Sequence, residues 1–292
     1  MELKEDFNMN SSLSKEKIML LKEKASEARK LIIETVHHAG AGHIGGPMSA
    51  TDILTNLYFH EMNIDPDDPR SEERDRFVLS KGHSAIGLYA VLALRGYLPV
   101  EELQTFDSLN SRLQAHPDMN TLPGLDMSTG SLGQGISAAV GIALGAKLQG
   151  KRYRTYCMIG DGESQEGQVW EAADIASKYE LDNLVGILDY NKLQQFGWSG
   201  EGKSRKSPIH APKDRWESFG WHVIEIDGHN QEEIENAFNE AREVKTKPVM
   251  IIANTVKGKG VSFMENQYLW HSRIPTDDEL NQAKKELEMG AL

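Results

Sequence analysis

The spacing of apolar positions predicts alternating helices and strands along most of the chain. From Ser14 to about His38, apolar side chains recur every three or four residues, which is typical of an amphipathic helix. Ser14 is suited to cap the start of this helix, and Gly40 and Gly42 to end it. Further helices are predicted around residues 88–94 and over 132–149, 168–178 and 231–244. Short apolar runs predict strands at 76–80, 153–159, 184–189, 221–226 and 248–254.

Strands that alternate with helices indicate a parallel sheet with helices on both faces. We therefore predict one doubly wound α/β domain over residues 1–292, with residues 1–13 as a loose polar extension. In such sheets ligands bind beyond the carboxyl ends of the strands. Residues that bind a ligand or take part in catalysis are therefore expected where strands end.

A glycine-rich segment follows the first helix. Residues 38–47 contain four glycines and one proline, which predicts a loop that contributes nothing to the core. Ser49 or Thr51 is then expected to cap a second helix running to Phe59 or His60.

Composition narrows the class of protein. Of 292 residues, 39% are hydrophobic and 26% charged, as in ordinary folded domains. Acidic residues number 44 and basic ones 32, and a net charge of −12 argues against nucleic-acid or membrane-surface partners. Cys157 is the single cysteine, so no disulfide forms within the chain, and we expect a buried hydrophobic role for it. Without a signal-like N-terminus or a membrane-length apolar run, the sequence predicts a cytoplasmic protein.

Two strand ends carry residues suited to binding a metal and a phosphate. Asp161 lies in Gly160-Asp161-Gly162-Glu163 directly after one predicted strand, and Asn191 follows the next. An Asp-Gly turn alone is common, but neighbouring parallel strands bring these side chains to one sheet edge. Carboxylate, amide and carbonyl oxygens suit Mg²⁺ or Ca²⁺, with phosphate oxygens completing the coordination. The Gly162 amide, near a helix start at residues 165–167, is suited to bind phosphate.

The Gly-Asp-Gly motif and the distant Asn191 together resemble the thiamine-diphosphate signature. The surrounding sequence resembles the transketolase family specifically. The matching blocks occur in the family's order and cover almost the whole chain: residues 41–47, 75–83, 115–118, 128–135 and 160–167.

This resemblance implies roles for individual residues in binding cofactor and metal. Mg²⁺, with Ca²⁺ as a possible substitute, is expected on the side chains of Asp161 and Asn191 and on the carbonyl oxygen of Leu193. Gly162 and Asn191 are expected to bind the diphosphate, and His83 to contact the cofactor's phosphate end. The other implied thiamine-diphosphate contacts are Gly130, Ser131, Leu132 and His271.

The resemblance also implies catalytic histidines. His43, His116 and His271 are expected to line the substrate channel, where imidazoles transfer protons near neutral pH. After Trp270-His271 this chain has Ser and Arg where glycine and a small residue are frequent in the family. Glu166 is expected at the subunit interface, where carboxylates connect the family's two sites. Hydrogen-bonded structural or surface roles are expected for His37, His38, His60, His210, His222 and His229.

The family draws its activating glutamate and its stacking aromatic residue from a second domain, which these 292 residues do not contain. With a capping box at Thr276 to Glu279 and a final helix ended by Gly290, we expect a complete N-terminal subunit of a split transketolase. The implied reaction is ketol transfer between sugar phosphates, performed with a separate C-terminal subunit in an assembly of two copies of each chain. A decarboxylating sugar-phosphate synthase and a non-catalytic cofactor-binding orphan are the alternatives. The channel histidines and Asp118 favour transfer.

Overall fold

The computed structural model describes residues 13–195 and 208–290, so the predicted extension lies almost wholly outside the described residues. None of the helices in these ranges is long and apolar enough to cross a membrane. The helices are α1 (Lys15–Ala39), α2 (Gly45–Asn56), α3 (Ala85–Arg95), α4 (Gln134–Leu148), α5 (Gly167–Lys178), α6 (Pro212–Ser218), α7 (Gln231–Glu243) and α8 (Asp277–Gly290). The strands are β1 (Arg76–Leu79), β2 (Thr155–Gly160), β3 (Leu184–Tyr190), β4 (His222–Asp227) and β5 (Val249–Asn254).

Across the described ranges the five strands form one parallel sheet in the order β1-β2-β3-β5-β4. In register, Leu79 of β1 pairs with Met158 of β2, and Gly160 at the end of β2 pairs with Asp189 of β3. On the other side of β3, Tyr190 pairs with Asn254 of β5. The carboxyl ends of β1, β2, β3 and β5 therefore meet along one edge.

Both faces of the sheet are buried. Along β2, Tyr156 and Met158 join the core beneath α1, α2, α3 and α7, whereas Cys157 and Ile159 join the core beneath α4 and α5. This alternation confirms the predicted doubly wound α/β fold. Cys157 is fully buried, as its position on a central strand predicted.

The predicted start and end of α1 and the predicted start of α8 are confirmed by their caps. Ser14 Oγ accepts a hydrogen bond from Lys17 N at 3.2 Å, and Gly40 ends α1 in the left-handed region at φ 63°. At α8, Thr276 N donates to Glu279 Oε2 at 2.9 Å and Glu279 N donates to Thr276 Oγ1 at 3.3 Å. These reciprocal bonds form a capping box.

The predicted start of α2 is wrong. The helix begins at Gly45, inside the segment expected to be a loop, and Ile44 just before it is fully buried in the core. A Cβ on Gly45 would lie 2.8 Å from the carbonyl oxygen of Trp270, so the glycine permits close packing. Ser49 and Thr51 lie within the helix rather than at its cap, and the Thr51 hydroxyl donates to the Pro47 carbonyl at 2.9 Å.

Candidate functional site

A cavity of about 430 Å³ lies at the carboxyl ends of β1, β2, β3 and β5. Its walls come from the loops after these strands, the start of α2 and the segment before α4. Most of the residues that sequence analysis singled out line it: His43, His83, Gly130, Leu132, Asp161, Gly162, Asn191, Leu193 and His271. Ser131 and His116 are not part of this lining, and Glu166 lies exposed just before α5.

The predicted metal ligands sit together on the loops after β2 and β3. Asp161 is buried, and its carboxylate accepts hydrogen bonds from Gly162 N at 2.8 Å and from Lys192 N at 2.5 Å. The Asn191 amide oxygen accepts a bond from Leu193 N at 3.1 Å. Burial, reinforced by the nearby carboxylate of Asp189, raises the pKa of Asp161 to about 7.

The expected contact of the Gly162 amide with a phosphate stays a prediction. In the structure this amide donates to the adjacent Asp161 carboxylate. The reason is local, because an Asp carboxylate readily accepts bonds from backbone amides in a turn. The same contact holds the Asp161 carboxylate at the cavity wall.

Three histidines line the cavity, and a fourth, His116, lies near them. The ring of His43 lies 5.0 Å from that of His83 and 5.1 Å from that of His271, and the His83 and His271 rings stack 5.2 Å apart. His116 lies further out, 6.4 Å from His43, with its ring against Gly130. Backbone contact helps to assemble the group, since Ile44 N donates to the His271 carbonyl at 3.2 Å.

The three inner imidazoles are held neutral. Burial, and secondarily neighbouring positive groups, lowers the pKa of His43 to about 4 and that of His271 to about 3. Burial also places the pKa of His83 well below its usual value, with Lys81 adding to the effect. A neutral imidazole has one donor and one acceptor nitrogen, so each ring can give or take a proton. Among the described side chains, His43 Nδ1 is a buried ring nitrogen without a hydrogen-bond partner, and it borders the cavity.

Lys257, which sequence analysis missed, supplies positive charge inside the cavity. Its ammonium group lies 2.9 Å from His271 Nδ1 and 3.5 Å from the Leu193 carbonyl oxygen. Burial, with some repulsion from Lys81, lowers the pKa of Lys257 to about 8. The available signal was its place just beyond the carboxyl end of β5, because that edge carries the site.

A buried ion pair supports the floor of the site. Lys81 contacts the carboxylate of Asp189 and also donates to the Gly46 carbonyl at 3.0 Å. Ser49 Oγ donates to Asp189 at 2.7 Å, and Thr255 Oγ1 also bonds this carboxylate. Burial opposes ionisation of Asp189, but Lys81 and these hydroxyls together hold its pKa below the usual value. These contacts join the loop after β1, the start of α2, the end of β3 and the loop after β5 beneath the cavity.

Close backbone approach shapes the cavity wall. A Cβ on Gly82 would lie 2.7 Å from Gly130 N, and Gly130 itself adopts φ 155° with the His116 ring against it. Larger residues at either position would separate the loop after β1 from the segment before α4. The glycines therefore bring two predicted cofactor-binding loops into direct contact.

Several histidines expected to be structural are confirmed in hydrogen-bonded positions away from the cavity. His60 pairs with Glu235 at 2.9 Å and His222 with Glu240 at 2.7 Å. His229 joins Asp52 at 2.7 Å, and its other ring nitrogen accepts a bond from Val256 N at 2.9 Å. His37 bonds Asp277 at 2.9 Å near the C-terminal end of α1.

The arrangement fits a metal-bound diphosphate ester. Oxygen donors from Asp161, Asn191 and Leu193 have the chemistry that Mg²⁺ prefers, and Lys257 adds a cation for a phosphate. The unpartnered His43 nitrogen offers a further polar contact to a molecule in the cavity. Fold and site together define an α/β protein of the diphosphate-binding class, with its site at the carboxyl edge of a parallel sheet.

Comparison with known proteins assigns the family. Residues 21–291 match the family model described as "Transketolase, thiamine diphosphate binding domain". This chain belongs to the transketolase family and forms its N-terminal, thiamine-diphosphate-binding part.

Its relatives include both short subunits and full-length enzymes. The chain is 47% identical over 268 residues to a 6-deoxy-6-sulfo-D-fructose transketolase subunit from a Clostridium species, covering 92% of this chain and 96% of that one. It is 41% identical to an apulose-4-phosphate transketolase subunit from Phocaeicola vulgatus, covering 91% and 93%. Human transketolase is 44% identical, but this chain covers only 40% of its length. The crystal structure of Campylobacter jejuni transketolase superposes with a TM-score of 0.85 at 36% identity, covering 93% of this chain and 43% of that one.

Proposed function

We propose that this chain is the diphosphate-binding subunit of a two-chain transketolase that transfers a two-carbon ketol unit from a ketose phosphate to an aldose phosphate. The observation that supports it most is the joint placement of the oxygen donors, Lys257 and the histidine cluster on one cavity. The oxygen donors and Lys257 suit a metal-bound diphosphate, and the imidazoles suit proton transfer.

Thiamine diphosphate, when bound, supplies an electron sink for the negative charge that develops on the former carbonyl carbon of the donor sugar. This chain's own residues perform the remaining tasks. Asp161, Asn191 and Leu193 hold Mg²⁺, and Lys257 neutralises diphosphate charge in a chain whose net charge is −12. His83 and the segment from Gly130 to Leu132 bind the cofactor.

The other histidines of the cluster contact the substrate. His43, His116 and His271 bind sugar hydroxyls and transfer protons, and the first and last stay neutral at physiological pH because their pKa values lie at about 4 and about 3. The His116 ring lies 6.4 Å from that of His43, which is compatible with its proposed contact to the sugar.

The proposed partner is a C-terminal subunit that supplies the pyrimidine-binding half, assembled as two copies of each chain. Support comes from the relatives of similar length, which are named as subunits, whereas the full-length human enzyme is more than twice as long as the matched region. On this proposal the isolated chain lacks the residues that activate the cofactor.

Reconstitution tests the proposed function. The purified chain is expected to show no measurable ketol transfer and at best weak Mg²⁺-dependent thiamine diphosphate binding. Addition of the C-terminal subunit is expected to produce transfer from xylulose 5-phosphate to ribose 5-phosphate. Robust turnover by this chain alone, free of any partner, would show that the two-chain proposal is mistaken.

The sugars to be tested as ketol donors are chosen from the names of the relatives. It includes 6-deoxy-6-sulfo-D-fructose and apulose 4-phosphate beside the common sugar phosphates, because the similar subunits are named for those compounds. Product analysis by mass spectrometry distinguishes ketol transfer from loss of carbon dioxide. Decarboxylation of a keto acid without ketol transfer would favour a sugar-phosphate synthase instead.

A further inference from the structure

A buried glutamate outside the predicted ligand set joins three segments of the site. Glu163 follows the Gly-Asp-Gly turn between β2 and α5, and its side chain is 2% exposed. Its Oε1 accepts hydrogen bonds from Ser80 Oγ at 2.6 Å and from Gly133 N at 2.8 Å, and its Oε2 accepts one from Gly160 N at 3.0 Å. All three donors are buried or half-buried.

Each donor is next to a segment that borders the cavity. Ser80 directly follows β1 and immediately precedes Lys81, and Gly133 directly follows Leu132. Gly160 immediately precedes Asp161, the charged metal ligand of the proposed site. One carboxylate therefore connects the metal-binding turn with the loop expected to line the organic part of the cofactor.

We propose that Glu163 is a positioning residue that holds the Gly130–Leu132 segment in register with the metal-binding turn at Asp161. The assignment rests on the proposed thiamine diphosphate binding. Glu163 acts through backbone amides and the Ser80 hydroxyl, because both of its oxygens are already engaged with those donors.

A carboxylate is needed here because all three groups that bond the Glu163 side chain are donors. Glutamine has nearly the same shape but only one acceptor oxygen, while its nitrogen is a donor. With the amide in one orientation its nitrogen faces Gly160 N–H, and in the other it faces Gly133 N–H. Glu163→Gln therefore leaves at least one buried backbone donor without a partner, which is costly.

Amide hydrogen exchange on the full-length, cofactor-free chain tests the contact itself. We expect peptides containing Gly133 or Gly160 to exchange about tenfold faster in Glu163→Gln than in the wild type. The matched control is Glu61→Gln, another buried glutamate, whose carboxylate accepts a bond from Tyr156 Oη at 2.6 Å and does not line the cavity. The control is expected to lose thermal stability without changing exchange at Gly133 or Gly160.

Cofactor titration of the chain assembled with its C-terminal subunit tests the consequence. Glu163→Gln is expected to weaken thiamine diphosphate binding in Mg²⁺ by about tenfold. At saturating cofactor, the KM for the sugar donor is expected to stay at the wild-type value, which separates positioning of the cofactor from general damage. Glu61→Gln is expected to bind thiamine diphosphate as the wild type does.

Ser80→Ala removes one donor and provides a second variant if Glu163→Gln does not fold. It is expected to weaken cofactor binding by about threefold, and less than additively when combined with Glu163→Gln. Unchanged cofactor affinity in Glu163→Gln, or in Ser80→Ala if only that variant folds, would overturn the assignment of Glu163. Failure of the wild-type assembly to bind thiamine diphosphate would overturn the proposed function and this assignment with it.

Discussion

The pKa values of individual side chains in the cavity depend strongly on their surroundings. Asp161 is a buried carboxylate with a pKa raised to about 7, whereas Lys257 is a buried ammonium with a pKa lowered to about 8. In both groups burial is the main cause, since it penalises the charged form. A dication beside Asp161 and a diphosphate beside Lys257 would each compensate a charge that the protein alone leaves poorly solvated.

Asp161→Ala is expected to abolish Mg²⁺-dependent thiamine diphosphate binding while leaving the fold intact. It removes the one charged ligand assigned to the metal. The Gly162 and Lys192 amides lose their acceptor, but the two hydrophobic cores that hold the fold are unchanged. Calorimetry on the assembled protein measures the loss, and thermal unfolding checks the fold. The exposed Asp68→Ala is the matched control for the change in charge. Unchanged cofactor affinity in Asp161→Ala would refute the metal assignment.

His43 and His83, which are neighbours in space, are expected to have different roles. His43→Ala should raise the KM for the sugar or lower turnover with little loss of cofactor affinity, because its proposed partner is the substrate. His83→Ala should mainly weaken cofactor binding, although the two rings lie only 5.0 Å apart. Steady-state kinetics combined with cofactor titration measures both effects, with the exposed His38→Ala as control. The same pattern in both cavity variants would show that the assigned roles are wrong.

Most of the proposed cofactor and metal contacts in the cavity could be predicted from the sequence, but the groups that support them could not. Asp161 and Asn191 could be predicted because strand ends and motif spacing place them at one edge. Lys81, Asp189 and Glu163 act through contacts with distant segments, and local sequence does not specify those contacts. The individual roles of the histidines and the metal ligands stay predictions.

Among the helices, α1 and α2 are joined to the loop before α7 by a buried ionic network. Arg29 of α1 pairs with Asp52 of α2 at 2.5 Å, and His229 bonds the same carboxylate at 2.7 Å. Burial opposes ionisation of Asp52, but Arg29 and His229 outweigh it and lower the pKa to about 2. This network also reaches Val256, the neighbour of Lys257, through the second nitrogen of His229.

The Asp52 network predicts a loss of stability in acid. The folded pKa of about 2 lies below the unfolded value of about 3.9, so the stabilisation is complete above about pH 5 and disappears as pH falls towards 2. The shift corresponds to about 2 kcal/mol. Urea unfolding of the wild type and Asp52→Asn between pH 5 and 3 measures it. The variant is expected to be less stable at pH 5 but to lose less on acidification, and parallel losses would contradict the prediction.

Helix boundaries show where local pattern fails. Both ends of α1 and the start of α8 were predictable because their caps are local in sequence. The start of α2 was not, because Gly45 and Gly46 are helical residues that approach Trp270 and Ser84 closely. Tertiary packing there overrides the usual preference of glycine for loops.

Viewed as a whole, the molecule has large apolar side chains exposed on α4 and α5, which pack against each other. Leu148 of α4 and Ile175 of α5 are 80% and 39% exposed, and Tyr179, directly after α5, is 48% exposed. We expect the isolated chain to self-associate through such surfaces, and the C-terminal subunit to suppress this self-association.

Sedimentation velocity over a concentration series tests this expectation. Leu148→Gln should weaken self-association of the isolated chain because it removes apolar area from the α4 surface. Leu109→Gln is the control, since Leu109 is even more exposed, at 92%, but lies in a loop away from α4 and α5. A monomeric wild-type chain at all concentrations would contradict the expectation.

The doubly wound class was predictable from alternating strands and helices, but the strand order was not. β5 lies between β3 and β4 in the sheet, although it follows both in sequence. Adjacency of this kind depends on which apolar faces pack together, and a single strand's sequence does not encode it. That order brings Lys257 next to the loop after β3.

The residues that line the cavity come from distant parts of the chain, and this determines when the site forms during synthesis and folding. His43 near the start and His271 near the end touch the same space, and the segments between them contribute from four strand ends. Such a site has few local contacts, so it is completed only after the late strand β5 has joined the sheet. A ribosome-bound or truncated chain lacking the last segments would have no binding site for the cofactor. Binding of the cofactor therefore indicates that the chain has folded completely. The cofactor stabilises only chains that have reached the folded state.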